Sequence, residues 1–373
     1  MVSMAIGTHR PTRIIVNLDA IKQNIQQERE QLKDNQEIYA VVKANGYGHG
    51  AEAVSKAALE AGATGLCVAI LDEAIALRKS GIEAPILVLG VTDVRDITLA
   101  VNYNIILTVP SLKWLETSLP VLETSQVTLR FHLKLDTGMG RIGVREREEL
   151  KTLLEVVKAS PYLSLEGVFT HFATADSENE DYFNHQVTRF KQLLECFEEL
   201  PQHVHCANSA TAIWHDDLPT TIIRYGIGMY GLNPSGTSLS LPHPLLPALK
   251  LETELVHVKQ VQEKTSISYG ATYSAKPGDW IGTLPIGYAD GWVRAMQGYI
   301  VMIDNQPCEI IGRVCMDQCM VKLPYYLPEG TAVSLINSEV SERISPTAIA
   351  EYLGTINYEV LCLLSERIPR VYQ

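Results

Sequence analysis

Between residues 38 and 225 the chain repeats one unit, a short apolar run rich in β-branched residues followed by a turn and an amphipathic stretch. Eight such runs occur: Ile38–Lys43, Gly65–Ala69, Pro85–Gly90, Ile105–Val109, Val127–Leu135, Leu163–Phe172, His203–Ala207 and Thr221–Tyr225. Helical periodicity falls between most of them, as in Asp72–Lys79, Glu146–Lys158 and Asp181–Leu200. Eight β-then-α units in about 200 residues predict an α/β fold, a (β/α)8 TIM barrel rather than an open doubly wound sheet. One strand-like run, Arg13–Leu18, precedes the count. Asp19 then caps a helix that carries Ile21, Ile25 and Leu32 on one period.

The texture changes after Gly231. The stretch Asn233–Pro247 holds four prolines with little periodicity and reads as a linker. Short strands split by Gly, Pro and Asn turns follow: Leu249–Val261, Asp279–Leu284, Tyr299–Ile303, Cys308–Val314, Met320–Leu323 and Ala332–Leu335, with a helical pattern at Pro346–Leu353. The expected organisation is a barrel over 1–245 and a mainly-β domain over 246–373, the strand near 12–18 being free to join the second. The net charge of −12 argues against nucleic acid and anionic membrane surfaces as partners. No apolar run approaches the roughly eighteen residues of a membrane span. The seven cysteines lie mostly in apolar runs, which fits reduced thiols in a cytoplasmic protein, and none has a partner pair at zinc-ligand spacing, so no metal is expected.

Chemistry gathers where the strands end. Lys43 closes the run Ile38–Val42 and opens Ala44-Asn45-Gly46-Tyr47-Gly48-His49-Gly50. A lysine after five apolar residues is partly desolvated, so its amine is more easily neutral and able to condense with an aldehyde cofactor. A surface lysine ending a strand gives the same local pattern. Leu133-Lys134-Leu135-Asp136-Thr137-Gly138-Met139-Gly140-Arg141 places a cation on a glycine-rich loop. His171 ends the sixth run, and His205–Ala210 and Arg224–Gly231 follow the seventh and eighth, where barrels commonly bind phosphate.

Together these stretches resemble the signatures of the alanine racemases, fold-type III pyridoxal-phosphate enzymes, from about Arg13 to the C-terminus. The resemblance implies pyridoxal 5'-phosphate on Lys43, with His171 stacked on its ring and Arg224 at the pyridine nitrogen. Tyr47, Asn208, Ser209, Gly226, Ile227 and Tyr358 are then the remaining cofactor contacts. An arginine stays protonated and cannot leave a proton on that nitrogen, which weakens the ring as an electron sink and limits side reactions. Arg141 is the substrate-carboxylate arginine, and Lys134 aligns with a lysine that is carbamylated in several members. Ser266-Ile267-Ser268-Tyr269-Gly270 supplies Tyr269 as second base, reaching the partner's site. Gly287–Gly291 and Cys315–Gln318 place Tyr288, Met316 and Asp317 near the substrate.

The activity so implied is interconversion of L- and D-alanine by two bases in a homodimer with shared sites, supplying D-alanine for peptidoglycan. Racemisation takes a proton from one face of a planar carbanion and returns it to the other, which a pair of bases does without moving across the ring. Tyr225 and Gly228 stand where the family commonly has Phe and Ser. A non-catalytic cofactor carrier, a basic amino-acid decarboxylase and a broader racemase are the rival readings. Pairing of Tyr269 with Arg141 favours two-base racemisation.

Overall fold

The computed structural model describes residues 5–373. It falls into two compact units, one of residues 20–46 and 51–246, the other of the N-terminal segment through Asp19, residues 47–50 and residues 247–373. In chain order the first nine strands are β1 (Arg13–Val16), β2 (Glu37–Val41), β3 (Gly65–Val68), β4 (Ile86–Val88), β5 (Leu107–Val109), β6 (Leu129–Lys134), β7 (Leu163–Phe169), β8 (His203–His205) and β9 (Ile222–Tyr225).

Strands β2 to β9 form two parallel sheets, ordered β4-β3-β2-β9 and β5-β6-β7-β8. Parallel bridges join them on both sides, Leu87 to Ile106 between β4 and β5, and Ala207 to Ile223 between β8 and β9. The ring is therefore closed, which leaves no sheet edge, and the expected eight-stranded barrel is present. Ile38, Tyr39, Ala40 and Val41 on β2 are all nearly inaccessible, as are Leu66, Cys67 and Val68 on β3. Burial on both faces explains why these strands carry continuous apolar runs rather than an alternation. Helices cover the outside. The helix Asp181–Leu194 buries Phe183, Gln186, Phe190, Leu193 and Leu194 along one stripe, and Leu112–Ser125 starts where the Ser111 hydroxyl accepts the Trp114 N–H.

The second unit adds β10 (Leu249–Glu254), β11 (His257–Gln260), β12 (Thr265–Ile267), β13 (Tyr273–Ala275), β14 (Trp280–Leu284), β15 (Ile300–Ile303), β16 (Gln306–Ile311), β17 (Cys319–Leu323), β18 (Ala332–Ile336) and β19 (Arg370–Tyr372). Nine of its strands make one sheet, ordered β11-β14-β17-β16-β15-β18-β10-β1-β19. In it β1 runs antiparallel to β10 and parallel to β19. Strands β12 and β13 form a separate hairpin with Ile267 opposite Tyr273, anchored by a core of Val261, Ile267, Ala275, Ile281 and Ile311. Ser345 caps the helix Pro346–Leu353, and Gly354 ends it in the left-handed conformation. A further helix, Asn357–Leu363, has no counterpart in the sequence reading.

Candidate active site

Lys43 follows the last ladder residue of β2 and begins a tight turn. Ala44, Asn45, Gly46 and Tyr47 all take left-handed φ values, 52°, 52°, 62° and 51°. Non-glycine residues pay roughly 1–2 kcal/mol each for that conformation, so the turn needs external support. Glu73 supplies part of it: one carboxylate oxygen accepts the Ala44 N–H (2.6 Å), and the other accepts the Ala69 N–H (2.8 Å). The Asn45 side chain accepts the Ala51 N–H (2.9 Å), and the Val42 carbonyl accepts the Gly46 N–H (2.8 Å). Strain concentrated beside this half-buried lysine is a mark of a functional loop. Glu73 carries no motif signal and was not a candidate in the sequence.

Arg224 on β9 is buried. Its guanidinium donates to His205 Nδ1 (2.7 Å) and to the Thr170 carbonyl (2.9 Å), and lies 3.4 Å from His171 Nδ1. Because an arginine only donates, His205 Nδ1 is the acceptor and its Nε2 carries the proton. That proton goes to His132 Nδ1 (2.8 Å). The three residues form one polarised chain across β9, β8 and β6. Burial and the nearby Arg224 hold His205 and His171 well below the usual imidazole range. Burial pushes His132 down to about 3. His205 stacks flat on Phe169 at 4.7 Å. Neither His132 nor His205 was singled out from the sequence.

After β8 and β9 the chain forms a small donor nest. The Ser209 hydroxyl accepts the N–H groups of Gly226 (2.8 Å) and Gly228 (3.3 Å). Asn208 turns back on its own helix, its Oδ1 accepting the Thr211 N–H (2.9 Å). Ile227 is buried and starts the turn Ile227–Tyr230. A Cβ on Gly228 would lie 2.6–2.7 Å from the Tyr225 ring, so the two unusual residues at these positions fit one another.

On the opposite sheet Lys134 ends β6, buried, with its amine on the Leu135 carbonyl (2.7 Å) and 5.3 Å from the Phe169 ring centre. Burial, with Arg224 and Arg141 nearby, lowers its pKa to about 7. Asp136 shapes the following loop by accepting the Gly138 (3.1 Å) and Gly140 (3.0 Å) N–H groups. Arg141 sits on that loop, exposed. Burial first, and then the charges of Arg224, Arg141, Lys134 and Lys43, hold His171 neutral. The barrel unit thus brings these four basic side chains and His171 into one electrostatic neighbourhood.

The second unit holds the other candidates. Tyr47 and Tyr358 meet with ring centroids 6.1 Å apart. Tyr269 tops the β12–β13 hairpin, 71% exposed, between Ser268 at φ 67° and Gly270 at φ 74°. Tyr288 and Met316 lie on adjacent turns, locked because the Cys315 carbonyl accepts the Tyr288 N–H (3.1 Å) and the Met316 carbonyl accepts the Ala289 N–H (3.0 Å). Beneath them Asp290 is fully buried, gripped by both Nη atoms of Arg10 at 2.9 and 2.5 Å. Arg367 reaches from Asp290 (3.6 Å) to Asp317 (2.9 Å).

Two family models match the chain: alanine racemase, N-terminal domain, over residues 16–234, and alanine racemase, C-terminal domain, over residues 248–372. The alanine racemase of Lactiplantibacillus plantarum is 51% identical over 373 residues, covering 99% of each chain. The crystal structure of alanine racemase from E. faecalis superposes with a TM-score of 0.95 at 48% identity, over 99% of this chain and 100% of that one. A histidine racemase from Leuconostoc mesenteroides superposes with a TM-score of 0.93 at 33% identity, over 99% and 100% of the two chains.

Proposed function

The chain belongs to the alanine racemase family, and on that premise we propose that it interconverts L- and D-alanine with pyridoxal 5'-phosphate held at Lys43. The observation that carries the reading is the strained left-handed turn that starts at Lys43, buttressed by Glu73, in the same electrostatic neighbourhood as the buried Arg224.

The residues present fit the cofactor. Arg224 is a buried cation whose bonds go to a neutral histidine and to carbonyls, a permanent donor for a pyridine nitrogen. His171 is kept neutral, which suits a flat ring stacked on another. Ser209, Gly226 and Ile227 follow the seventh and eighth barrel strands, a common place for phosphate, and the family likeness assigns the hydroxyls of Tyr47 and Tyr358 to the same group. Asn208 supports this loop as the cap of the helix that Ser209 opens.

When bound, pyridoxal phosphate supplies an electron sink that acidifies the Cα proton of an attached amino acid. The amine of Lys43 holds or returns that proton on one face of the substrate. Tyr269 of the partner subunit does so on the other, which makes the homodimer the working form. High exposure of Tyr269 on a strained hairpin turn supports a role outside its own chain. Arg141 and the Met316 N–H orient the alanine carboxylate, Asp317 and Tyr288 flank its approach, and a carbamylated Lys134 would orient Arg141. Lys134 near pKa 7 has the neutral amine that carbamylation requires. A cytoplasmic location belongs to the same reading: no disulfide joins the seven cysteines, and among the described residues no helix is long and apolar enough to cross a membrane.

The test is direct. Purified protein with pyridoxal phosphate is incubated with L-alanine and, separately, D-alanine, and the enantiomers are resolved by chiral chromatography. Both reactions should converge on equal amounts of each enantiomer, since mirror images have equal free energy, and Lys43→Ala should abolish the conversion. Likeness to a histidine racemase makes L-histidine the necessary parallel substrate; turnover of histidine without alanine would overturn the assignment.

A further inference from the structure

Arg370 opens β19 and spreads its guanidinium over four backbone carbonyls. Nε donates to Gly48 (3.0 Å), Nη1 to Ser365 and Ile368 (2.7 Å each), and Nη2 to Leu364 (3.0 Å). These carbonyls come from two places. Gly48 lies in residues 47–50, the piece that carries Tyr47. Leu364 and Ser365 follow the helix Asn357–Leu363, whose first turn carries Tyr358.

The packing around these bonds leaves no slack. Gly48 has φ 82°, and a Cβ there would lie 2.5 Å from the Leu361 carbonyl oxygen. Gly50 has φ 101°, and a Cβ there would overlap the Tyr372 hydroxyl. The backbone of 47–50 therefore sits directly on the end of one helix and on β19. A planar fork with five donors can join such scattered acceptors at once, whereas a lysine ammonium on a flexible stem cannot.

We propose that Arg370 is a positioning residue: it fixes Tyr47 and Tyr358 as a pair and thereby sets the affinity of the site for the phosphate end of the cofactor. The proposal rests on the assignment, made above, of these two hydroxyls to phosphate.

Apoprotein is titrated with pyridoxal phosphate, followed by absorbance, for the parent, Arg370→Lys, Tyr47→Phe/Tyr358→Phe and the triple variant. Inorganic phosphate serves as competitor, and apoprotein melting confirms folding. Arg370→Lys should weaken cofactor binding roughly ten- to a hundredfold and weaken phosphate competition in step. In the double-Phe background the same change should add less than about twofold, because residues acting through one another are not additive. Unchanged affinity in Arg370→Lys, or equal losses in both backgrounds, overturns the role of Arg370. A parent that binds no pyridoxal phosphate refutes instead the cofactor assignment itself. If Arg370→Lys does not fold, hydrogen exchange of the parent decides. Residues 47–50 and 358–361 should gain protection together when phosphate is added, and protection of one segment alone overturns the proposal.

Discussion

A lysine inside a barrel is an expensive residue, and the environment of Lys134 shows how the cost is lowered. Burial and the charges of Arg224 and Arg141 disfavour the ammonium, and only Asp136 opposes them. With a folded pKa near 7 and an unfolded one near 10.4, the unfolded chain binds more protons between those values. Stability therefore rises with pH across that window, and the penalty is fully present below it. In CO2-free buffer Lys134→Met should melt higher than the parent at about pH 6, and the gap should close toward about pH 10. Melting curves for both proteins across the range test this; parallel curves would contradict the buried-amine account. Lys134, Lys43 and Arg224 were legible in the sequence because each lies next to the end of an apolar run. The Arg224–His205–His132 chain was not, since its bonds join residues 19 and 73 positions apart. Periodicity does not reveal such a pairing. Glu73 was hidden for the same reason: it acts on the Ala44 N–H, 29 positions away.

Whole strands were easier to find than their ends. Parallel strands buried on both faces leave unbroken apolar runs, so eight runs gave eight strands. The sixth run overshoots its strand by three residues because Thr170 and Phe172 stay buried after the ladder stops. Burial and pairing are separate properties, and only burial marks the sequence. The turn after β9 shows a second kind of hidden order. Tyr225 and Gly228 departed separately from the family pattern, yet the Tyr225 ring occupies the space a side chain at 228 would need. Gly228→Ala should therefore overpack this buried turn and lose about 1–3 kcal/mol of stability. Calorimetric melting of Gly228→Ala, Tyr225→Leu and the double variant measures the coupling. Removing the ring should restore a large part of what alanine costs at 228, and strictly additive effects would show that the ring is not the obstacle.

For the molecule as a whole, the question raised by the proposed two-base reading is which chain would supply each base. Lys43 belongs to the barrel unit and Tyr269 to a hairpin of the other unit, where it is 71% exposed. A side chain left in solvent is poorly held, so the proposal that Tyr269 acts as a base in a partner's site predicts a specific kind of rescue. Lys43→Ala and Tyr269→Phe chains should each be nearly inactive alone, since removing a positioned acid–base group costs about 10²–10⁴-fold. A heterodimer of the two has one site with both residues altered and one with both intact. If subunits exchange freely at equal concentration, half the dimers are mixed and half the sites in those dimers are sound, so activity should return to about a quarter of the parent value. Were both bases contributed by one chain, every site in the mixture would carry one lesion, and mixing would change nothing. The measurement is racemase activity after subunit exchange, with differently tagged chains and affinity capture to confirm the heterodimer. Confirmed heterodimers without recovered activity would place Lys43 and Tyr269 of one site in the same chain and remove the reason for requiring a dimer.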